Sequence, residues 1–273
     1  MTADRSLVVR DLSLAYDDRE VVRDLSLTVP PGEVTVIVGA NACGKSTLLR
    51  GIARLLAPTT GAVLLDGRAV HEMPTKEVAE QLGILPQHPA APGGITVADL
   101  VGRGRYPHQG WLRRWTRRDE EAVARALAWT GTEDLADRSV DELSGGQRQR
   151  VWIAMALAQE TDVLLLDEPT TFLDLAHQVE VLDLLTDLNH RGATIVLVLH
   201  DLNLACRYAD HVVAMRDGSV VAEGRPADVI TAETVRAVYG LECQVVPDPV
   251  CGTPMVVPLG RHHGGVARRD SAP

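Results

Sequence analysis

The sequence has no apolar run long enough to cross a bilayer. Its longest, Val151 to Ala158, falls far short of the roughly 20 residues a span needs. The opening MTADRSLVVRDL contains no signal-peptide core, so neither export nor membrane insertion is expected. Cysteine is scarce: four residues (Cys43, Cys206, Cys243 and Cys251), none in a CxxC pair. That spacing speaks against a zinc site or disulfide frame and for reduced thiols in a cytosolic chain. Cys243 and Cys251 are close enough in sequence to bridge, but such a compartment disfavours it. Positive charge is short as well, with 27 Lys and Arg against 37 Asp and Glu, a formal net charge of −10. So acidic a chain lacks the basic footprint that duplex DNA requires, and no nucleic-acid partner is expected. Apolar residues, by contrast, make up 45% of the chain, enough for a sizeable core.

SLVVRDLSLAY and EVVRDLSLTV read as short strands of mixed polarity, and the hexapeptide VRDLSL occurs in both. Two copies of six residues are too few to define a repeat. EVTVIVG, AVLLDG, GILPQ, DVLLLDE, ATIVLVLH and HVVAMRDG are further strand candidates. Helical spacing over Lys45 to Leu56 and Asp174 to Asn189 alternates with them, which predicts an α/β core with mostly parallel strands. Between about 88 and 160 the alternation stops. Helical patterns at Val97–Val101, Asp119–Thr130 and Gly146–Gln159 follow one another without a strand, as in a helical subdomain inserted into the core. The expected organisation is one domain over 1–240 and a C-terminal extension over 241–273. That extension carries Pro247, Pro249, Pro254 and Pro258 and ends in RHHGGVARRDSAP, with the last ~13 residues frayed.

Residues 39–47 read GANACGKST and fit the phosphate-binding pattern G-x-x-x-x-G-K-[ST]. Small side chains at Gly39, Ala40, Asn41, Ala42, Cys43 and Gly44 let backbone N–H groups wrap phosphates, and the following helix aims its positive end at them. Lys45 would bridge the terminal phosphates, Ser46 would hold Mg²⁺, and Thr47 would support an inner phosphate. A lysine at a helix start is otherwise disfavoured, and a bound anion resolves that conflict. In VLLLDEPT, four apolar residues form a buried strand that ends in Asp167 and Glu168. Ligands bind at that end of an open parallel sheet. Asp167 would hold the metal and Glu168 would orient or deprotonate the attacking water. In LSGGQRQRVWIAMALA, Ser144, Gly145 and Gly146 prepare a second phosphate-ready helix start. If it lies on the insertion, away from the first, a second copy of the chain can bring the two together.

LSGGQ about twenty residues before the Asp–Glu pair, together with the phosphate loop, resembles the ABC-type ATPases. The resemblance implies ATP and Mg²⁺ as ligands, a P-loop core with an antiparallel β subdomain and a helical insertion, and a head-to-tail dimer. It also implies roles, residue by residue. Tyr16 matches the aromatic that stacks on adenine, and Gln87 the glutamine that reaches metal and water. Ser144 to Gln147 match the signature that caps the partner's nucleotide, and Asp174 the acid that crosses the interface. His200 matches the histidine that contacts the γ-phosphate. The family more often has Pro and Gly where this chain has Ala40 and Ala42, so Ala42 is expected to keep an allowed angle. Cys43, at a helix start that can lower a thiol pKa, is expected to be oxidation-sensitive. GRYPHQ, DEPTTFLDLAHQVEVLDLL, HDLNLACRYAD and VVPDPVCGTPMVVP are similar to ATP-binding subunits of ferric-siderophore importers, with haem and cobalamin importers sharing much of the pattern. This implies membrane permease subunits, an external substrate-binding protein as indirect partner, and a peripheral place on the cytoplasmic face. A soluble ATPase that remodels a protein or metal-cluster assembly is the alternative. Arg103, Arg105, Arg113, Arg114, Arg117 and Arg118 form a charge run. It reads either as a solvated face or as a surface for permease loops or anionic headgroups.

Overall fold

The computed structural model describes residues 5–109, 115–171 and 173–260. The chain opens with an antiparallel pair, β1 (Leu7–Tyr16) and β2 (Arg19–Val29), then runs into strand β3 (Val34–Gly39) and helix α1 (Lys45–Ile52). β4 (Thr60–Leu65) and β5 (Arg68–Ala69) return to the first sheet, and α2 (Thr75–Ala79) leads to β6 (Leu82–Leu85). Helices α3 (Val97–Gly102), α4 (Arg117–Thr130) and α5 (Gly145–Ala158) follow, with 3-10 turns between them. Then come β7 (Val163–Asp167), α6 (Leu175–Asn189), β8 (Thr194–Val198) and α7 (Leu202–Tyr208). β9 (His211–Arg216), β10 (Ser219–Gly224), α8 (Pro226–Val229) and α9 (Ala232–Tyr239) precede a terminal hairpin, β11 (Cys243–Pro247) and β12 (Pro254–Pro258). No helix of the described residues is long and apolar enough to cross a membrane.

The central sheet has six strands in the order β10-β9-β3-β8-β7-β6, parallel except for β10. Its inner strands β3, β7 and β8 are buried along their whole length, which is why they read as unbroken apolar runs. Alternate residues divide between two cores. Val36, Val38, Leu164, Leu166, Ile195 and Leu197 pack with the helical insertion, α6 and α7. Ile37, Val163, Leu165, Val196 and Val198 pack with α1 and the antiparallel β2-β1-β4-β5 sheet. The fold is therefore the P-loop α/β core, with antiparallel sheet and helical insertion, that the resemblance implies.

The repeated VRDLSL is a structural unit after all. Each copy lifts its aspartate into left-handed backbone, Asp11 at φ 45° and Asp24 at φ 41°. The register of β1 on β2 shifts there. Each serine then takes up the other copy's displaced amide: Asp11 N–H donates to Ser26 Oγ (2.9 Å) and Asp24 N–H to Ser13 Oγ (3.1 Å).

Four readings change. Helix α1 stops at Ile52 rather than Leu56, and Arg54 turns into left-handed backbone at φ 63°. β10 went unread because it is an edge strand whose residues alternate between exposed and half-buried. The proline-rich tail forms the β11–β12 hairpin, with Pro247, Pro254 and Pro258 at strand ends, where a missing N–H costs little. Asn203 holds it through Val256 N–H (2.8 Å), and Arg207 through Asp248 (2.7 Å). Arg105, finally, is no part of a surface. It is 1% exposed, with its guanidinium 2.9 Å from Asp119, 2.8 Å from Glu160 and 2.7 Å from the Ala158 carbonyl. Arg113 and Arg114, and the final residues expected to fray, lie outside the described residues.

Candidate active site

Adjacent parallel strands deliver the chemistry. β3 ends in the phosphate loop, and β8 leads to His200. β7 ends at Asp167 with Glu168 next, and β6 leads to Gln87. All four leave the sheet at its carboxyl edge, where an α/β sheet opens a crevice. There Asn41, Ala42, Gly44, Lys45, Ser46, Thr47, Gln87, Glu168 and His200 line a cleft of about 490 Å³, joined by Arg19 and Val21. No motif flagged Arg19 or Val21. They reach the cleft from the start of β2, whose Val21 carbonyl lies against Gly44 and Gly218, a contact of sequence-distant segments that spacing does not encode.

The loop is set by close backbone approach. A β-carbon on Gly39 would stand 2.4 Å from the Met215 carbonyl, so only glycine fits there. Ala42 does not keep an ordinary angle: its φ is 60°, at a cost of roughly 1 kcal/mol for a residue with a β-carbon. The Cys43 expectation also fails. Its side chain is 5% exposed, and burial pushes the thiol up despite the nearby Lys45 charge. Gly218 fastens the loop to the arm, donating to the Cys43 carbonyl and accepting from Arg23 N–H.

Lys45 is folded onto its own loop, donating to the carbonyls of Gly39 (2.8 Å) and Ala40 (3.0 Å). Two carbonyl dipoles stand in for an anion at a helix start whose first amides have no partner within the helix. Ser46 Oγ donates to Asp167 Oδ1 at 2.9 Å. Burial pushes the Asp167 carboxyl above its ordinary range, outweighing that bond. Glu168 occupies left-handed backbone at φ 53°, which turns it out of the strand. Its Oε2 accepts from Gln87 Nε2 (2.5 Å) and from Thr171 Oγ1 (3.0 Å), and His200 Nε2 lies 2.6 Å from Oε1. Thr171 was not among the sequence candidates, since a second threonine after the Asp–Glu pair carries no pattern of its own.

The other candidates do not line this cleft. Ser144 caps α5 in a full capping box with Gln147, each side chain bonded to the other's amide. Asp174 caps α6. Tyr16 is 40% exposed and its hydroxyl accepts from Arg50.

Residues 22–171, more than half of the chain, match the family described as "ABC transporter". The chain belongs to the ABC transporter family. Among its relatives is YusV of Bacillus subtilis (strain 168), "Probable siderophore transport system ATP-binding protein", 61% identical over 92% of this chain and 91% of YusV. The ferric enterobactin transport ATP-binding protein FepC of Escherichia coli (strain K12) is 55% identical over 92% and 93% of the two chains. Among solved structures, "an inward-facing conformation of a putative metal-chelate type ABC transporter" superposes with a TM-score of 0.82 at 29% identity. That match covers 94% of this chain and 99% of the other.

Proposed function

We propose that this ABC protein is the ATP-hydrolysing subunit of a ferric-siderophore importer, seated peripherally on permease subunits at the cytoplasmic membrane face. The observation that carries the hydrolytic part is the convergence of a phosphate-loop lysine, a Ser46–Asp167 pair and a Glu168 bonded by Gln87 and Thr171 beside His200. The cargo rests on the siderophore relatives, at 55–61% identity over nine-tenths of the chain.

Lys45 leaves its two carbonyls for the terminal phosphates of ATP, while loop amides and Thr47 hold the inner ones. Ser46 and Asp167 suit Mg²⁺: both offer hard oxygen, and the buried carboxylate gains from a cation that offsets its desolvation. The chemistry Mg²⁺ supplies there is neutralisation of charge building on the terminal phosphate oxygens. Glu168 has about four lone-pair sites; Gln87 and Thr171 donate to two of them, both at Oε2, while His200 Nε2 stands 2.6 Å from Oε1. Oε1, which takes neither of those bonds, accepts a proton from the water that attacks the γ-phosphorus, as ADP departs. Gln87 and His200 orient that water and the γ-phosphate. Tyr16 offers its ring to adenine.

Ser144, Gly145, Gly146 and Gln147 stand away from their own chain's cleft, and so does Asp174. They serve the nucleotide of a second copy placed head to tail. An external substrate-binding protein presents the chelate to the permease and never touches this chain.

The test uses Glu168→Gln. Removing the proton acceptor lowers turnover by about 10²–10⁴-fold, while ATP and Mg²⁺ trap a closed dimer visible by light scattering. Near-normal turnover removes Glu168 from its role. Separately, a deletion strain should fail to grow on ferric siderophore as sole iron source, and the chain should co-purify with a detergent-extracted permease. Normal growth with a wholly soluble complex would favour the remodelling ATPase.

A further inference from the structure

The two outward-facing features of the chain, the Ser144 helix start and Asp174, are joined by one side chain that no motif assigns. His177 stands in the first turn of α6, three residues past its cap. Its backbone N–H and its ring Nδ1 both meet Asp174 Oδ1, at 3.0 and 2.6 Å. These bonds, backbone first, hold the Asp174 carboxyl below its usual range, so it stays an anion. The opposite side of the ring lies against Gly146. Cδ2, Cγ and Nε2 come within 3.0, 3.3 and 3.4 Å of where a β-carbon on that residue would stand. A histidine ring thus stands between the start of α6 and the start of α5, packed so closely on Gly146 that a β-carbon there would crowd it.

Gln178 extends the brace, donating to the carbonyls of Thr170 (3.4 Å) and Leu173 (3.0 Å). The first turn of α6 therefore fixes the segment that follows Glu168 as well as the signature helix. The ring is not a core residue: its side chain is 41% exposed and that of Asp174 is 67% exposed. A solvent-facing wedge of this kind gives the fold little stability, because its packing and hydrogen bonds compete with water.

We infer that His177 is a positioning residue that sets Asp174 and the Ser144–Gly146 amides in one fixed spacing, so that both meet the partner's nucleotide together. The inference rests on the head-to-tail dimer proposed above. In the single chain His177 does not line the cleft. Losing it should leave ATP binding by the open chain intact and weaken the closed state. A hydrogen bond to a charged group is worth about tenfold or more in an equilibrium.

The experiment uses the full-length protein in the Glu168→Gln background, with and without His177→Ala, and with His177→Asn as the conservative variant. Three quantities are read: the Kd of a fluorescent ATP analogue for the monomer, the dimer dissociation constant with ATP and Mg²⁺ by sedimentation, and Tm. His177→Ala should weaken the dimer by at least about tenfold, with monomer nucleotide affinity within about twofold. Tm should stay within about 2 °C. His177→Asn, whose amide can still donate to Asp174, should recover most of the dimer. A dimer equally tight in the alanine variant overturns the inference. So does a parallel loss of monomer ATP binding or of several degrees in Tm, which marks an ordinary structural role. Failure of Glu168→Gln itself to dimerise, with His177 intact, overturns the dimer reading instead.

Discussion

Replacing Arg105 by methionine should unfold the helical insertion well before any surface arginine does. Methionine keeps much of the volume and removes the charge. The arginine is 1% exposed and pairs with Asp119, itself 4% exposed, and with Glu160, an exposed residue whose side chain is 29% exposed. Removing one partner of a buried pair costs about 3–5 kcal/mol, since the other charge stays behind. Here the acids keep some company. Asp119 retains the Thr116 amide (2.9 Å) and hydroxyl (2.7 Å), and Glu160 retains Arg125 at 2.6 Å. The low end, about 3 kcal/mol, is therefore expected. At about 2–4 °C per kcal/mol for a chain of this size, Tm falls by about 6–12 °C. The double variant Arg105→Met/Asp119→Asn keeps the cap without the charge and should recover part of that loss. Scanning calorimetry reads both. pH adds a second signature. Burial pushes both carboxyls up, but bonds from Thr116 and Arg105 at Asp119, and from Arg125 and Arg105 at Glu160, outweigh it and hold both below the usual range. Groups whose native pKa is lowered contribute stability above their unfolded pKa, about 4, and lose it as pH falls through the native value. The wild-type advantage should thus be level from pH 6 to 8 and shrink below about pH 4. A loss under 1 kcal/mol, or one that does not change with acid, would refute the buried-pair account.

Three further outcomes follow from the cleft. Lys45 and Lys76 are the only lysines in the chain, so amine-reactive labelling read by peptide mass spectrometry should show ATP protecting Lys45 and sparing no label at Lys76. Equal labelling at both would place the nucleotide elsewhere. Ala42→Val puts a β-branched residue at φ 60° and should weaken ATP binding about tenfold or more, while Ala42→Gly stays within about 1 kcal/mol of wild-type stability. Thr171→Val removes one of the donors to Glu168 and should lower kcat with KM nearly unchanged, whereas a loss confined to KM would detach Thr171 from the chemistry.

What could be read without coordinates follows from how each feature is encoded. β3, β7 and β8 are buried on both faces, so their apolar runs announce them, and the loop, the Asp–Glu pair and the signature are contiguous strings. Arg105 hid in a run of arginines because its partners stand 14 and 55 residues away, and sign alone does not separate a buried charge from a wet one. The tail hairpin hid behind its prolines, and Arg19 and Val21 behind a contact of β2 with the distant Gly44 and Gly218. Cys43 misled in the other direction. A helix start does lower a thiol pKa, but at 5% exposure the cost of burying a thiolate is larger, and burial wins.

The split of the site has a mechanical consequence. Strand ends fix Lys45, Asp167, Glu168 and His200 on the rigid sheet, while the Ser144 helix start rides on the insertion. At the site the bodies meet through a hydrogen bond, Gln87 to Glu168, and through packing, the ring of His177, bonded to Asp174, against Gly146. Gln87 lies on the way from β6 into the insertion and donates to Glu168, so under the proposed function a rotation of the insertion would act on that carboxylate. If the proposed permease seats on the insertion, it would change the rate of proton acceptance at Glu168 without touching nucleotide. If Gln87→Ala, which cuts that bridge, left transport-stimulated turnover as high as in wild type, the coupling would have to run through α6 instead.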